Sequence, residues 1–201
     1  MSIDRFDTKA STWDADPEKV ARANAIAAGI AEAVPLSQNM QALEYGAGTG
    51  LVSQALQHQI GPLTLADPSA GMREMLQEKI AAGVLRLARV WDLNLETDPL
   101  PPETFELILT SMVLHHIRDL PTVLTGFADL LEPGGYLCIA DLDKEDGSFH
   151  DYDFDGHRGF DRAELTADLQ AAGFSQVTIK DCTYAERDGH RYSVFLAVAQ
   201  R

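Results

Sequence analysis

Residues 41–50 read Gln-Ala-Leu-Glu-Tyr-Gly-Ala-Gly-Thr-Gly. A short apolar strand carries one acid, Glu44, and runs into three glycines at alternate positions, Gly46, Gly48 and Gly50. A helical pattern begins at once and covers 51–58. Glycines at a strand-to-helix turn let bare main chain approach a ligand, because no Cβ stands in the way. The unpaired N–H groups of the first helical turn then face that ligand. The dinucleotide fingerprint G-x-G-x-x-G would need its third glycine at position 51, and Leu51 stands there.

Outward from the turn, Leu63-Thr64-Leu65-Ala66-Asp67 reads as a second strand ending in a carboxylate. An acid at that tip can accept two hydrogen bonds from a ribose diol. No arginine follows Asp67 directly, which disfavours a 2′-phosphate.

The run Glu-x-Gly-x-Gly-x-Gly resembles motif I of the class I S-adenosylmethionine-dependent methyltransferases. Four later blocks resemble the same family in the same order: Asp67-Pro68-Ser69-Ala70-Gly71-Met72, Val90-Trp91-Asp92-Leu93, Phe105 to Ser111, and Leu131-Glu132-Pro133-Gly134-Gly135-Tyr136-Leu137. The resemblance covers residues 41–143 well and the remainder in outline. It implies S-adenosylmethionine as cofactor. It places Glu44 toward the cofactor's ammonium group, Gly46, Gly48 and Gly50 along its ribose and methionine portion, and Asp67 on the ribose, with Pro68 beside it. It sets Met72 against the adenine face, Asp92 and Leu93 at the adenine amino group, and Ser111 at the tip of the fourth strand. The stretch Ser111 to Ile117 looks like that of small-molecule methyltransferases of the ubiquinone-biosynthesis type. It lacks the Asn/Asp-Pro-Pro-Tyr/Phe element with which relatives hold a planar amine.

Strand and helix patterns alternate along the chain. Helices are expected at 18–34, 69–82, 119–131 and 161–172, and strands at 41–45, 63–67, 84–90, 105–111, 135–142, 176–183 and 191–199. Asp16 before Pro17 marks a helix start, and Gly83 and Gly173 mark helix ends. Alternation of this kind predicts right-handed crossovers and a mostly parallel sheet. Only Arg187-Asp188-Gly189-His190 separates the last two strands, so they form a hairpin and the final strand runs antiparallel. The expected fold is therefore α/β: a Rossmann-like seven-stranded sheet with helices on both faces. A single domain spans 1–201, with 1–35 as an N-terminal helical cap.

The 201 residues are 45% hydrophobic, ordinary for a globular domain. No apolar run is long enough to span a membrane, and the N-terminus has no signal-type apolar segment, so cytoplasmic residence is the default expectation. Cys138 and Cys182 read as buried thiols, with no metal-type spacing. A net charge of −15 repels nucleic-acid backbones and anionic lipid. That balance points to a small-molecule acceptor, neutral or cationic; the oligomeric state stays open.

Catalytic candidates are His115 and His116, which follow the fourth strand, and His157 in a polar run over 141–160. The run is expected to wall the acceptor pocket. Asp151-Tyr152-Asp153-Phe154-Asp155-Gly156 matches the first half of an EF-hand loop, but Arg162 occupies the position that needs Glu, and no metal is expected. Phe6 and Trp13 are expected to form a lid that touches substrate and excludes water. Two other classes fit parts of this pattern: an NAD-dependent oxidoreductase, and a non-enzymatic cofactor-binding or assembly protein.

Overall fold

The computed structural model describes residues 4–150, 152 and 154–201. Its centre is β1 (Ala42–Tyr45), buried along its whole length between β2 (Leu63–Ala66) and β4 (Phe105–Ser111), both parallel to it. Beyond β2 lies β3 (Ala88–Trp91); beyond β4 lies β5 (Leu131–Leu142). β7 (His190–Gln200) inserts antiparallel between β5 and β6 (Ser175–Arg187), which completes the order β3-β2-β1-β4-β5-β7-β6. One reversed strand among seven is the arrangement expected from the Asp-Gly turn.

Strand period explains the two layers. In β4, Leu107 and Leu109 face one side and Ile108 the other. The Leu107 side packs α2 (Pro17–Ala33), α3 (Leu51–Leu56) and Leu76 of α4 (Ala70–Ala81). The Ile108 side packs α5 (Leu120–Leu130) and α6 (Arg162–Ala171), with Phe127 in edge contact on Tyr45 at 5.3 Å. The starts of α2, α4, α5 and α6 follow side-chain caps. Asp16 accepts from Glu18 N at 3.0 Å before Pro17, Ser69 caps α4, and Asp161 caps α6.

Three boundaries depart from expectation. β3 begins at Ala88, because Gly83 through Leu87 form the turn that leaves α4. β5 begins at Leu131, at the very end of α5, so that Leu131 pairs with Phe105 before the Gly134-Gly135 irregularity. β6 runs on to Arg187, which lengthens the hairpin. N-terminal to α2, a short helix α1 (Asp4–Lys9) and a 3-10 turn (Ala10–Ala15) pack against α4. α2 itself is a full member of the layer, packed on α3 and β6.

The strand order reverses between β1 and β4: the chain moves outward through β2 and β3, then returns to the other side of β1. At such a switch point the loops leaving two neighbouring strands diverge and open a crevice beyond their carboxyl ends.

Candidate active site

The crevice is a cavity of about 640 Å³. Its floor is the β1–α3 loop, its sides the tips of β2 and β4, and its cover α1 and the 3-10 turn. Gly46, Gly48 and Gly50 all hold left-handed backbone, at φ of 68°, 56° and 76°. Their surroundings divide their roles. A Cβ on Gly46 would strike Val113 Cγ2 at 2.4 Å, so this glycine lets the loops after β1 and β4 meet. A Cβ on Gly50 would strike Leu76 Cδ2 at 2.8 Å; Gly50 lies outside the cavity walls and serves α3–α4 packing. A Cβ on Gly48 would meet nothing within 4 Å, and Gly48 lines the cavity. There the missing side chain leaves ligand space.

Asp67 closes this turn. Its Oδ2 accepts from Gly48 N at 2.7 Å and its Oδ1 from Ser69 N at 2.8 Å. Each oxygen keeps a lone pair for a diol. Burial pushes its carboxyl up, against the pull of those two N–H groups. Glu44 is 2% exposed and accepts from Ser53 N at 3.1 Å. Burial raises it to about 7 against the hydrogen bonding from Ser53. A carboxyl so poised gains its charge when a cation arrives.

Pro68, Met72 and Ser111 line the same cavity, Met72 while also fully buried. Asp92 and Leu93 do not. Asp92 stands outside the walls, paired with Arg73 at 2.9 Å, and Leu93 is buried in the core on the α5 side. The wall near them is made instead by Asn94 and Glu96. Met112, at the β4 tip, takes φ 58°, a strained conformation for a side-chain-bearing residue beside the glycine turn.

His115 and His116 line the opposite part of the cavity. His115 Nδ1 lies 2.6 Å from Asp141 Oδ1, both side chains being buried, and His115 N donates to Asp141 Oδ2 at 3.3 Å. Asp141 ends the apolar run of β5 and accepts also from Leu142 N at 2.7 Å. A carboxylate on Nδ1 fixes that nitrogen as the donor and leaves Nε2 as the acceptor. Burial, then the neighbouring imidazoles, push His116 down to about 2, so it stays neutral. Its ring meets Phe6 edge-on at 5.6 Å. His115, His116 and His150 each offer one nitrogen within 4.8 Å of the others, a grouping that could hold a divalent transition metal. His157 is elsewhere: its N–H donates to His115 O at 2.8 Å and its ring lies on Phe160. Asp151 and Asp153 of the EF-hand match lie outside the described residues; Asp155 pairs with Arg118, and Arg162 with Asp143 at 2.7 Å.

Phe6 and Trp13 both line the cavity, their rings 6.1 Å apart. Two acids tie this cover to the loops below. Asp7 Oδ1 accepts from Ser69 Oγ at 2.5 Å and Gly71 N at 2.9 Å. Asp14 accepts from Thr49 Oγ1 at 2.5 Å and pairs with Lys79, whose Nζ also donates to Thr49 O at 2.8 Å. Asp7, Asp14, Lys79, Asp141 and His150 carry no local motif; only the carboxylate ending an apolar strand hinted at Asp141.

A family model described as a methyltransferase domain matches residues 19–179. A polyketide synthase-nonribosomal peptide synthetase of Aspergillus clavatus is 33% identical over 111 residues, which is 52% of this chain and 3% of that protein. An uncharacterised methyltransferase of Schizosaccharomyces pombe is 34% identical over 118 residues, 55% of this chain and 42% of that protein. This chain thus spans less than half the length of either relative. The crystal structure of a SAM-dependent methyltransferase from Aquifex aeolicus superposes with a TM-score of 0.71 over 96% of this chain and 97% of that one, at 20% identity. A likeness at that identity speaks for the fold.

Proposed function

This chain belongs to the class I S-adenosylmethionine-dependent methyltransferases, and from that premise we propose that it methylates a small molecule whose nucleophile must first lose a proton. The observation that carries this reading is the buried His115–Asp141 pair, 2.6 Å apart, in which His115 walls the same cavity as Asp67 and Gly48 and Asp141 stands behind it. S-adenosylmethionine fits the residues present. Gly48 leaves space that a Cβ would fill, Asp67 retains two acceptor sites for a ribose, and Glu44 is a buried carboxyl with, among the described residues, no cation in hydrogen-bond range. When bound, the cofactor supplies an electrophilic methyl group on a sulfonium.

The chain's own part is positioning and proton removal. Holding two reactants in line is worth up to roughly 7–11 kcal/mol. Asp141 anchors His115 Nδ1–H, so His115 Nε2 receives the acceptor's proton and Asp141 stabilises the resulting imidazolium. His116 stays neutral and packs with Phe6 against that ring, which keeps water from the pair. A cavity of about 640 Å³ supports a small-molecule acceptor.

Transfer of labelled methyl from S-adenosylmethionine to a panel of acidic C–H, O–H and N–H compounds tests the reading. His115→Gln and Asp141→Asn should each lower kcat by roughly 10²–10⁴-fold and leave S-adenosylhomocysteine affinity unchanged. Full turnover in His115→Gln would remove the base. Dialysis against a chelator should leave turnover intact; loss restored by zinc would instead give the three imidazoles to a metal.

A further inference from the structure

Three imidazoles wall the part of the cavity opposite Gly48 and Asp67. His115 and His116 come from a 3-10 turn after β4 (Leu114–His116), and His150 comes from the loop after β5. Each offers one ring nitrogen within 4.8 Å of the other two. The ring centroids of His115 and His116 lie 4.0 Å apart, and each lies 5.5 Å from that of His150. Phe6, Phe149 and Phe154 pack around them. A purely aromatic cluster has no need of ring nitrogens, and phenyl rings would pack in the same way. Yet His116 Nδ1 is buried and, among the described residues, has no hydrogen-bond partner. A buried polar atom left in that state is costly to the fold. His115 is held differently: Asp141 takes its Nδ1 at 2.6 Å, which leaves Nε2 with a lone pair.

We propose that His115, His116 and His150 form a site for a divalent metal of the zinc and cobalt kind, and that a filled site withholds His115 from methyl transfer. Neutral imidazoles suit such ions, and three of them with an open fourth position make a tetrahedral centre. Zinc–nitrogen bonds of about 2.0–2.1 Å set ligand nitrogens about 3.4 Å apart, and rotation of the rings closes the difference. Calcium and magnesium, which take oxygen ligands, are poor occupants. Asp141 behind His115 supplies the carboxylate that orients a ligating ring and raises its basicity. Metal on Nε2 occupies the lone pair that receives the acceptor's proton, so turnover runs with the site empty. The binding claim stands without the methyltransferase reading; only the competition rests on it.

Chain freed of metal and of any histidine tag is titrated with zinc by calorimetry and with cobalt(II) by visible absorption, which intensifies in a four-coordinate site. His116→Phe and His150→Phe each keep a ring and remove its nitrogens. Asp141→Asn keeps the shape behind His115 and removes the charge. His190→Asn, on the exposed hairpin, is the control. Wild type and His190→Asn should bind a single zinc with the same affinity. Asp141→Asn should weaken zinc roughly 10- to 100-fold, and each phenylalanine variant at least as much. Zinc should inhibit methyl transfer by wild type and a chelator should reverse it. The half-inhibiting zinc concentration should rise in His150→Phe by the factor lost in affinity. No zinc bound by wild type, or equal zinc affinity in wild type, His116→Phe and His150→Phe, overturns the site; should one phenylalanine variant fail to fold, the other decides. Zinc that binds there and leaves turnover unchanged, or raises it, overturns the competition. A chain that transfers no methyl would sink the methyltransferase reading, and calorimetry and absorption would still judge the metal.

Discussion

At the scale of single residues, the site is organised by what burial does to charge. Glu44 is held by one backbone N–H in a space where its ionised form is disfavoured, and its carboxyl rises from 4.5 to about 7. Two consequences have defined signs. Its proton favours the folded state: that contribution is whole below pH 4.5 and lost as pH rises through 7. A cationic ligand works against this, because it favours the carboxylate. Below pH 7 binding must therefore expel a proton, so affinity for S-adenosylhomocysteine should rise with pH up to about 7 and level off above it. Calorimetry at pH 6 and 8 in buffers of different ionisation enthalpy measures this directly. Glu44→Gln should abolish both the slope and the proton release, and a slope that persists in Glu44→Gln would assign it to another group. Residues of this kind were partly legible. Glu44, Asp67 and His115 were visible because each ends or follows a strand beside a recognisable turn. Asp92 occupied an equally suggestive place, yet Arg73, one turn into α4, draws its carboxylate away at 2.9 Å. Pairing across that distance in sequence leaves no local mark.

At the scale of elements, the N-terminal segment is a cover joined to the two loops that form the site. Asp7 satisfies N–H and O–H donors at the start of α4, and Asp14 bridges the glycine loop to Lys79. These contacts are part-buried, and a hydrogen bond that replaces one to water adds only modestly to overall stability. Their effect is to fix Phe6 and Trp13 over the cavity. Deleting residues 1–16 should thus lower turnover by about 10-fold or more while shifting Tm by only a few degrees. Asp14→Ala should show the same pattern more weakly. Circular dichroism melts beside turnover measurements provide the check; full activity in the truncated chain would reject a covering role. Phe6 and Trp13, ahead of the first long helix, suggested this cover. The bolts beneath it were not legible, because Asp7–Ser69 and Asp14–Thr49 join segments far apart in the chain. Element boundaries slipped for a similar reason. β5 starts four residues before the expected position 135, since Leu131 finds a partner in Phe105.

At the scale of the whole molecule, the order of the strands creates the site. β1 lies at the point where the sheet changes direction, and the cavity opens at the carboxyl ends of β1, β2 and β4, where Gly46, Gly48, Asp67 and Ser111 border it. The alternation of strands and helices, the Asp-Gly hairpin and the glycine turn made this topology readable from the sequence. The net charge of −15 does not carry over to the cavity: Arg5, Lys9, Lys19, Arg22, Arg118 and Arg187 border it, and so do Asp16, Glu18, Glu44, Asp67, Glu96 and Glu186. Among the described residues no helix is long and apolar enough to cross a membrane.

The central claim is that bare main chain at Gly48, closed by Asp67, receives an adenosyl ligand. Titration of S-adenosylhomocysteine into wild type and Asp67→Ala measures it most directly. Saturable binding to wild type, weakened about 100-fold or more by Asp67→Ala through the loss of two charge-assisted hydrogen bonds, is the expected result. Equal affinity in the two proteins, or no heat of binding in either, would contradict it.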